Sequence, residues 1–202
     1  MHAGLHTHCT AFGGARCIAA GELAEVALEA KTVADKGEPV LIFDDATSEA
    51  IEVDFRGTAE DVLQRLARAG SPQATAAPET PRGPGRPKLG VVSREVTLLP
   101  RHWDWLNAQP GGASVALRKL VEEARRANAG KDRVRQSQEA AYRFMSAMAG
   151  NRPGFEEATR ALFAGERERF DQLVEDWPRD IRDHARKLAV AALDSRAVEA
   201  RS

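Results

Sequence analysis

Apolar and polar positions follow two different periods along the first 70 residues. Residues 10–14 and 16–20 read as short strands joined by a glycine turn. Leu23, Val26, Ala27 and Ala30 then recur at helical spacing within 22–36. Residues 39–43 (PVLIF) form a compact apolar strand, and 51–55 (IEVDF) alternate as a half-buried one. Asp44 to Ser48 make the hairpin loop between them. Thr58 stands where an N-cap is wanted, with Asp61 three residues on, and Val62, Leu63 and Leu66 carry a helix to about Ala69. The sum is a ββαββα unit, expected as a small antiparallel sheet with helices on one face.

The pattern then stops. Residues 70–88 (GSPQATAAPETPRGPGRPK) hold five prolines and no large apolar side chain, so they cannot build a core. They are expected as an extended, mobile linker, and they mark the clearest domain boundary. Beyond it a strand is expected at 95–99, a helix from about Arg101 to Gln109, a break at Pro110-Gly111-Gly112, and a helix from Ser114 to about Ala127. In that last helix Ser114 is the expected N-cap, and Leu117, Leu120, Val121 and Ala124 form one apolar stripe.

Four further stripes make the rest helical: Ala141, Phe144, Met145 and Met148; Phe155, Ala158, Leu162 and Phe163; Phe170, Leu173, Val174 and Trp177; Ile181, Ala185, Leu188 and Ala192. Pro153 and Pro178 fall where a proline opens a helix. The fold class expected is α+β, in four parts: a small domain over 1–70, a basic Pro/Gly-rich linker over 71–93, a strand-helix-helix dimerisation unit over 94–128, and a helical region over 129–202.

Charge sharpens this division. The formal net charge is only −1, yet residues 1–70 carry 6 basic and 12 acidic side chains, residues 71–130 carry 9 and 5, and residues 131–202 carry 14 and 13. From Arg82 to Arg101 five basic residues (Arg82, Arg86, Lys88, Arg94, Arg101) meet one acid, Glu95. Local density of this kind, rather than the whole-chain sum, neutralises phosphates. No apolar run approaches the roughly 20 residues that cross a bilayer, and the first residues lack a basic-then-apolar signal. The expected location is the cytoplasm, on the nucleoid if DNA is bound.

The strand REVTLLP (94–100), the helix RHWDWL, the glycine turn and the helix ASVALRKLVEEA resemble the ribbon-helix-helix family of DNA-binding proteins and antitoxins. The resemblance covers about 34 residues and implies that two copies pair their strands into a ribbon entering the major groove of double-stranded DNA. It would place Arg94 and Thr97 at or beside the groove, with Ser114, Arg118 and Lys119 on the backbone. A lone strand independently needs a partner, since it has no sheet of its own. Glu95, Thr97 and Leu99 share one strand face; Arg94, Val96 and Leu98 share the other.

The arm Arg82-Gly83-Pro84-Gly85-Arg86-Pro87-Lys88 resembles an AT-hook, in which glycine and proline keep the chain thin while arginine enters a narrow minor groove. Only the GRPK part matches. The runs GRPKLGVVSREVTLLPRHWDWL, QEAAYRFMSAMAG and FEEATRALFAG also resemble an uncharacterised bacterial family of unassigned function.

Other chemistry is sparse. His2, His6, His8 and Cys9 are ligand-type residues in a short tract, but no second cluster accompanies them, and neither a metal nor a cofactor is expected. Cys9 and Cys17 read as buried free thiols. Asp44 and Asp45 read as loop residues, and Trp103, Trp105 and Trp177 as core. His102 and His184 show no nucleophile or acid partner in sequence. There is no phosphate-binding glycine loop, G-x-S-x-G or H-E-x-x-H, so no catalytic residue is named. The function expected is a homodimeric DNA-binding protein. The alternative is a protein-interaction module whose strand-helix-helix unit only dimerises.

Overall fold

The computed structural model describes residues 4–70, 92 and 94–199. It is α+β and divides into two units: Met1–Gln73 with Gly130–Ser202, and Ala74–Ala129.

In the first unit β1 (His8–Gly13), β2 (Arg16–Glu22) and β3 (Val40–Asp44) form an antiparallel sheet in the order β2-β1-β3. In β1, Cys9 and Ala11 pack with Ile42 of β3 against α1 (Leu23–Ala34) and α2 (Ala59–Gly70). The stripe expected in α1 is the one buried, Leu23, Val26, Ala27 and Ala30, extended by Val33. Phe12 and Phe43 belong instead to a second core, with Phe144, Met145, Leu162, Phe170, Trp177, Ile181 and Ala185. Both faces of the sheet are thus covered, where one was expected.

That second core is built by the C-terminal half of α4 (Gly112–Ala149) with α5 (Phe155–Ala164), α6 (Arg167–Leu173) and α7 (Arg179–Glu199). Phe12, Phe43, Phe144 and His184 interlock, with ring centroids 4.5 to 6.2 Å apart. Such tilted and edge-on pairs each add about 1 kcal/mol to the area buried. The Trp177 indole N–H donates to the Pro153 carbonyl at 3.1 Å, so its burial leaves no orphan donor. The Ser137 hydroxyl donates to the Leu188 carbonyl at 2.6 Å and accepts the Ala192 N–H, tying α4 to α7. Phe163, expected in the core, is half exposed and stacks edge-on with Tyr142.

Residues 51–55 and helix α4 differ from the sequence expectation. Residues 51–55 keep the alternating half-buried and exposed pattern but form no strand; one bridge joins Phe43 to Ala50. Their carbonyls are taken by helix side chains instead, Lys31 Nζ donating to Phe55 O and Arg65 Nη2 to Asp54 O. Helix α4 also runs unbroken past Ala127. Ion pairs from Glu122 to Arg125 and Arg126, and from Asp132 to Arg135, brace it on either side of Gly130.

The local signals at 44–48 and 58–61 read correctly. Asp44 Oδ1 accepts the N–H groups of Ala46 and Thr47, closing the loop. Thr58 and Asp61 exchange side-chain-to-backbone bonds, as a capping pair should. Within the loop Ser48 has φ +53°, is fully buried, and leaves its hydroxyl without a partner. Glycine tolerates that backbone and removes the orphan hydroxyl. Ser48→Gly is therefore expected to raise stability by about 1 kcal/mol, seen as a higher urea midpoint at unchanged slope.

Candidate nucleic-acid interface

The second unit contains α3 (Pro100–Asn107) and the first half of α4. Proline at the first helical position costs no hydrogen bond, and Leu99 before it is extended, so the chain enters α3 cleanly. After Ala108 the path reverses through Gly111 and Gly112, with φ +85° and +73°. A Cβ on Gly111 would also stand 3.1 Å from Val115. The backbone thus favours glycine at Gly111, and the space beside Val115 is tight.

Residues 95–99, expected as a strand, form none, nor does Arg94 before them. They are exposed, apart from half-buried Leu98. A ladder needs a neighbouring strand, and among the described residues of this unit none pairs with them. Leu98, His102, Trp105, Leu106, Leu117 and Leu120 line an open apolar groove of about 320 Å³. Leu106 is buried at its floor, whereas Trp105 and Leu120 stand at its rim, 52% and 42% exposed. Trp105 is thus not the core residue expected from sequence; Trp103 is half-buried and Trp177 buried.

A family model described as an uncharacterised protein conserved in bacteria, DUF2239, matches residues 8–189. The chain belongs to DUF2239. No curated protein and no solved structure matches it. The DUF2239 match begins at β1 and ends inside α7, so it takes in both units.

On this DUF2239 scaffold the sequence-expected contact residues fall into three groups. Arg82, Arg86 and Lys88 lie outside the described residues. Arg94 and Thr97 are exposed, ahead of α3. Ser114, Arg118 and Lys119 are exposed on the first turns of α4. Ser114 is not the N-cap: α4 already begins at Gly112, because the two left-handed glycines complete the turn sooner.

Arg118 donates to the Ser114 hydroxyl at 2.8 Å and to its carbonyl at 3.2 Å. The serine accepts, which leaves its own proton to give. A guanidinium and a hydroxyl thus stand together at the positive end of a helix, a composition suited to phosphate oxygens. Acids compete nearby: Glu122 binds Arg125 and Arg126, and those donors hold its carboxyl below the usual range.

A second polar group, in the other unit, was not singled out from the sequence. The Thr10 hydroxyl donates to Asp45 at 2.6 Å, and Lys187 reaches the other Asp45 oxygen at 3.7 Å. Asp180, His184 and Lys187 share one stripe of α7, and Asp180 accepts the Cys17 N–H at 2.8 Å. Their spacing of i, i+4, i+7 was readable, but only the sheet shows what they meet.

His184 Nε2 is buried without a partner. Burial, more than the nearby Lys187, pushes its pKa down to about 4, against a weaker upward pull from Asp45. Cys9 is buried as expected, its thiol pushed up to about 12 by desolvation and by Asp45 and Asp44. Cys17 is exposed, contrary to expectation, because it lies on the outer strand of the sheet. Its thiol is also raised, first by desolvation and then by Asp180, so neither cysteine is activated as a nucleophile. No group of three metal-ligand side chains occurs among the described residues, and His6 pairs with Glu22 at 2.9 Å. No helix among them is long and apolar enough to cross a membrane.

Proposed function

We propose that the chain is a homodimeric DNA-binding protein, a transcriptional regulator or nucleoid-associated protein. Two copies join through the strand-helix-helix unit and meet duplex DNA through the ribbon and the basic arm. The observation that carries this reading is the uncovered apolar surface of the second unit. Val96, Leu99, Trp105, Leu120 and Val121 of this unit are all exposed, and Trp105 and Leu120 help line a groove walled almost wholly by apolar side chains. Scattered exposed apolar residues need no explanation, but a set gathered on one small unit calls for a cover. A second copy supplies it together with the missing strand: pairing 94–99 with its two-fold mate satisfies the backbone groups of both. Arg94 and Thr97 would then lie on or beside the ribbon, and the Ser114–Arg118 pairs at the two α4 starts would face the flanking phosphates.

The test is sedimentation equilibrium combined with titration of a labelled duplex between 50 and 200 mM salt. A dimer is expected, with affinity that falls steeply as salt rises. Arg86→Ala with Lys88→Ala is expected to weaken binding about tenfold and to flatten the logarithmic salt slope by about 2. Absence of duplex affinity at 50 mM salt sinks the DNA reading. Glu95 beside Arg94, and the engagement of Arg125 and Arg126 by Glu122, favour a second reading: a protein-interaction module that dimerises without touching DNA. A dimer that binds no duplex at any salt selects it.

A further inference from the structure

We propose that the outer edge of β2 is a docking strip for an extended peptide segment carrying basic side chains. This surface lies in the first unit, and the inference stands apart from the DNA reading.

Strand β2 has one neighbour in the sheet, β1, and among the described residues no strand pairs with its other side. Its beginning is closed, because the Cys17 N–H donates to the Asp180 carboxylate. The bulge between β1 and β2, at Ala11/Phe12, falls toward that same end. Beyond it the strand continues Ile18-Ala19-Ala20-Gly21-Glu22, small in its centre and without the lysine or proline that often guards an edge.

An open groove of about 480 Å³ runs beside this stretch, lined by Ala19, Ala20, Glu25, Val26, Leu28 and Glu29. Glu25 and Glu29 stand one helical turn apart on α1, both exposed, and neither enters an ion pair among the described residues. A Glu25 carboxylate oxygen lies 3.6 Å from the place a Cβ on Gly21 would occupy, so the acid stands over the outer strand at Gly21. Backbone pairing along 18–22 would hold an added strand, and side chains pointing alternately would bring every second one toward the two carboxylates.

Charge selects the occupant. A second copy of β2 would bring its own Glu22, Glu25 and Glu29 against these, acid on acid. A segment alternating lysine or arginine with apolar residues matches both the carboxylates and the Ala/Val/Leu lining. The excess of acids over residues 1–70 would draw such a segment in.

The experiment uses the full chain and a short, blocked, fluorescent peptide alternating lysine with valine, beside its glutamate-for-lysine counterpart. The lysine peptide is expected to bind, with amide shifts confined to 18–22 and the first turns of α1. Glu25→Lys with Glu29→Lys, both on an exposed helix face, should weaken it about tenfold at an unchanged melting temperature. The proposal is overturned by no binding at millimolar peptide, by equal binding of the two peptides, by indifference to the charge reversal, or by a concentration-dependent dimer paired through β2. Loss of duplex affinity in other variants would leave this result untouched, since they alter the other unit.

Discussion

Phe144→Ala is expected to destabilise the first unit by about 4 kcal/mol, a large share of the roughly 5–15 kcal/mol that holds a typical domain. Phe144 is fully buried, and its ring meets Phe12, Phe43 and His184 at centroid distances of 5.2, 5.3 and 4.5 Å. Truncation removes the transfer energy of the ring and leaves a void bounded by three rigid rings that cannot collapse into it. Phe144→Leu keeps most of the volume but loses the ring contacts, so it should cost less than half as much. Urea denaturation at constant pH reads both variants. A loss below about 1.5 kcal/mol for the alanine would mean that the sheet and the C-terminal helices do not share this core.

Acid should weaken the same region through His184. A histidine in the unfolded chain titrates near 6.5, while this one is held at about 4 inside the fold. Between those values the unfolded chain binds the proton and the native state does not, so stability rises with pH across the window. The contribution is fully present above about pH 6.5 and is lost as the pH falls toward 4, to a total of about 3 kcal/mol. Burial between Phe12 and Phe144 is the main cause; Lys187 adds to it, and Asp45 opposes it. His184→Leu fills similar space without a titrating group, so its stability should fall less than the wild type's, by about 2.5 kcal/mol, between pH 7 and pH 4.5. Equal losses in the two proteins would contradict the assignment.

Where structure is set by neighbours in the chain, the sequence was enough. The α1 stripe, the Thr58–Asp61 cap and the Asp44 loop depend on side chains at most four residues apart, and each is found as read. Misreadings came where the deciding partner is distant. The alternation at 51–55 is genuine, but Lys31 and Arg65 supply the donors that a strand would have supplied. The run His8–Gly13 is buried at every residue after His8, which is the mark of a strand covered on both faces, yet its shortness hid that.

In the candidate interface, the glycine turn and both helices were legible from residues 100–117. The start of α4 was not, because Ser114 is a good cap residue placed three residues past the actual cap position. The pairing of Ser114 with Arg118 follows from i, i+4 spacing and was within reach. The strand expected at 95–99 is a different matter: a ladder there needs a partner strand, which local spacing cannot name.

The first unit is assembled from the two ends of the chain, residues 1–73 and 130–202, with 74–129 lying between them in sequence. This sets a schedule for folding during synthesis. When β1, β2 and β3 leave the ribosome, the face bearing Phe12 and Phe43 has nothing to cover it, because its partners run from Ala141 to Leu193. At about 5–20 residues per second, roughly seven to thirty seconds separate the emergence of that face from that of its last partner, Leu193. During that interval the nascent chain carries an open sheet with two bare phenylalanines, the form in which a chaperone would first meet this protein.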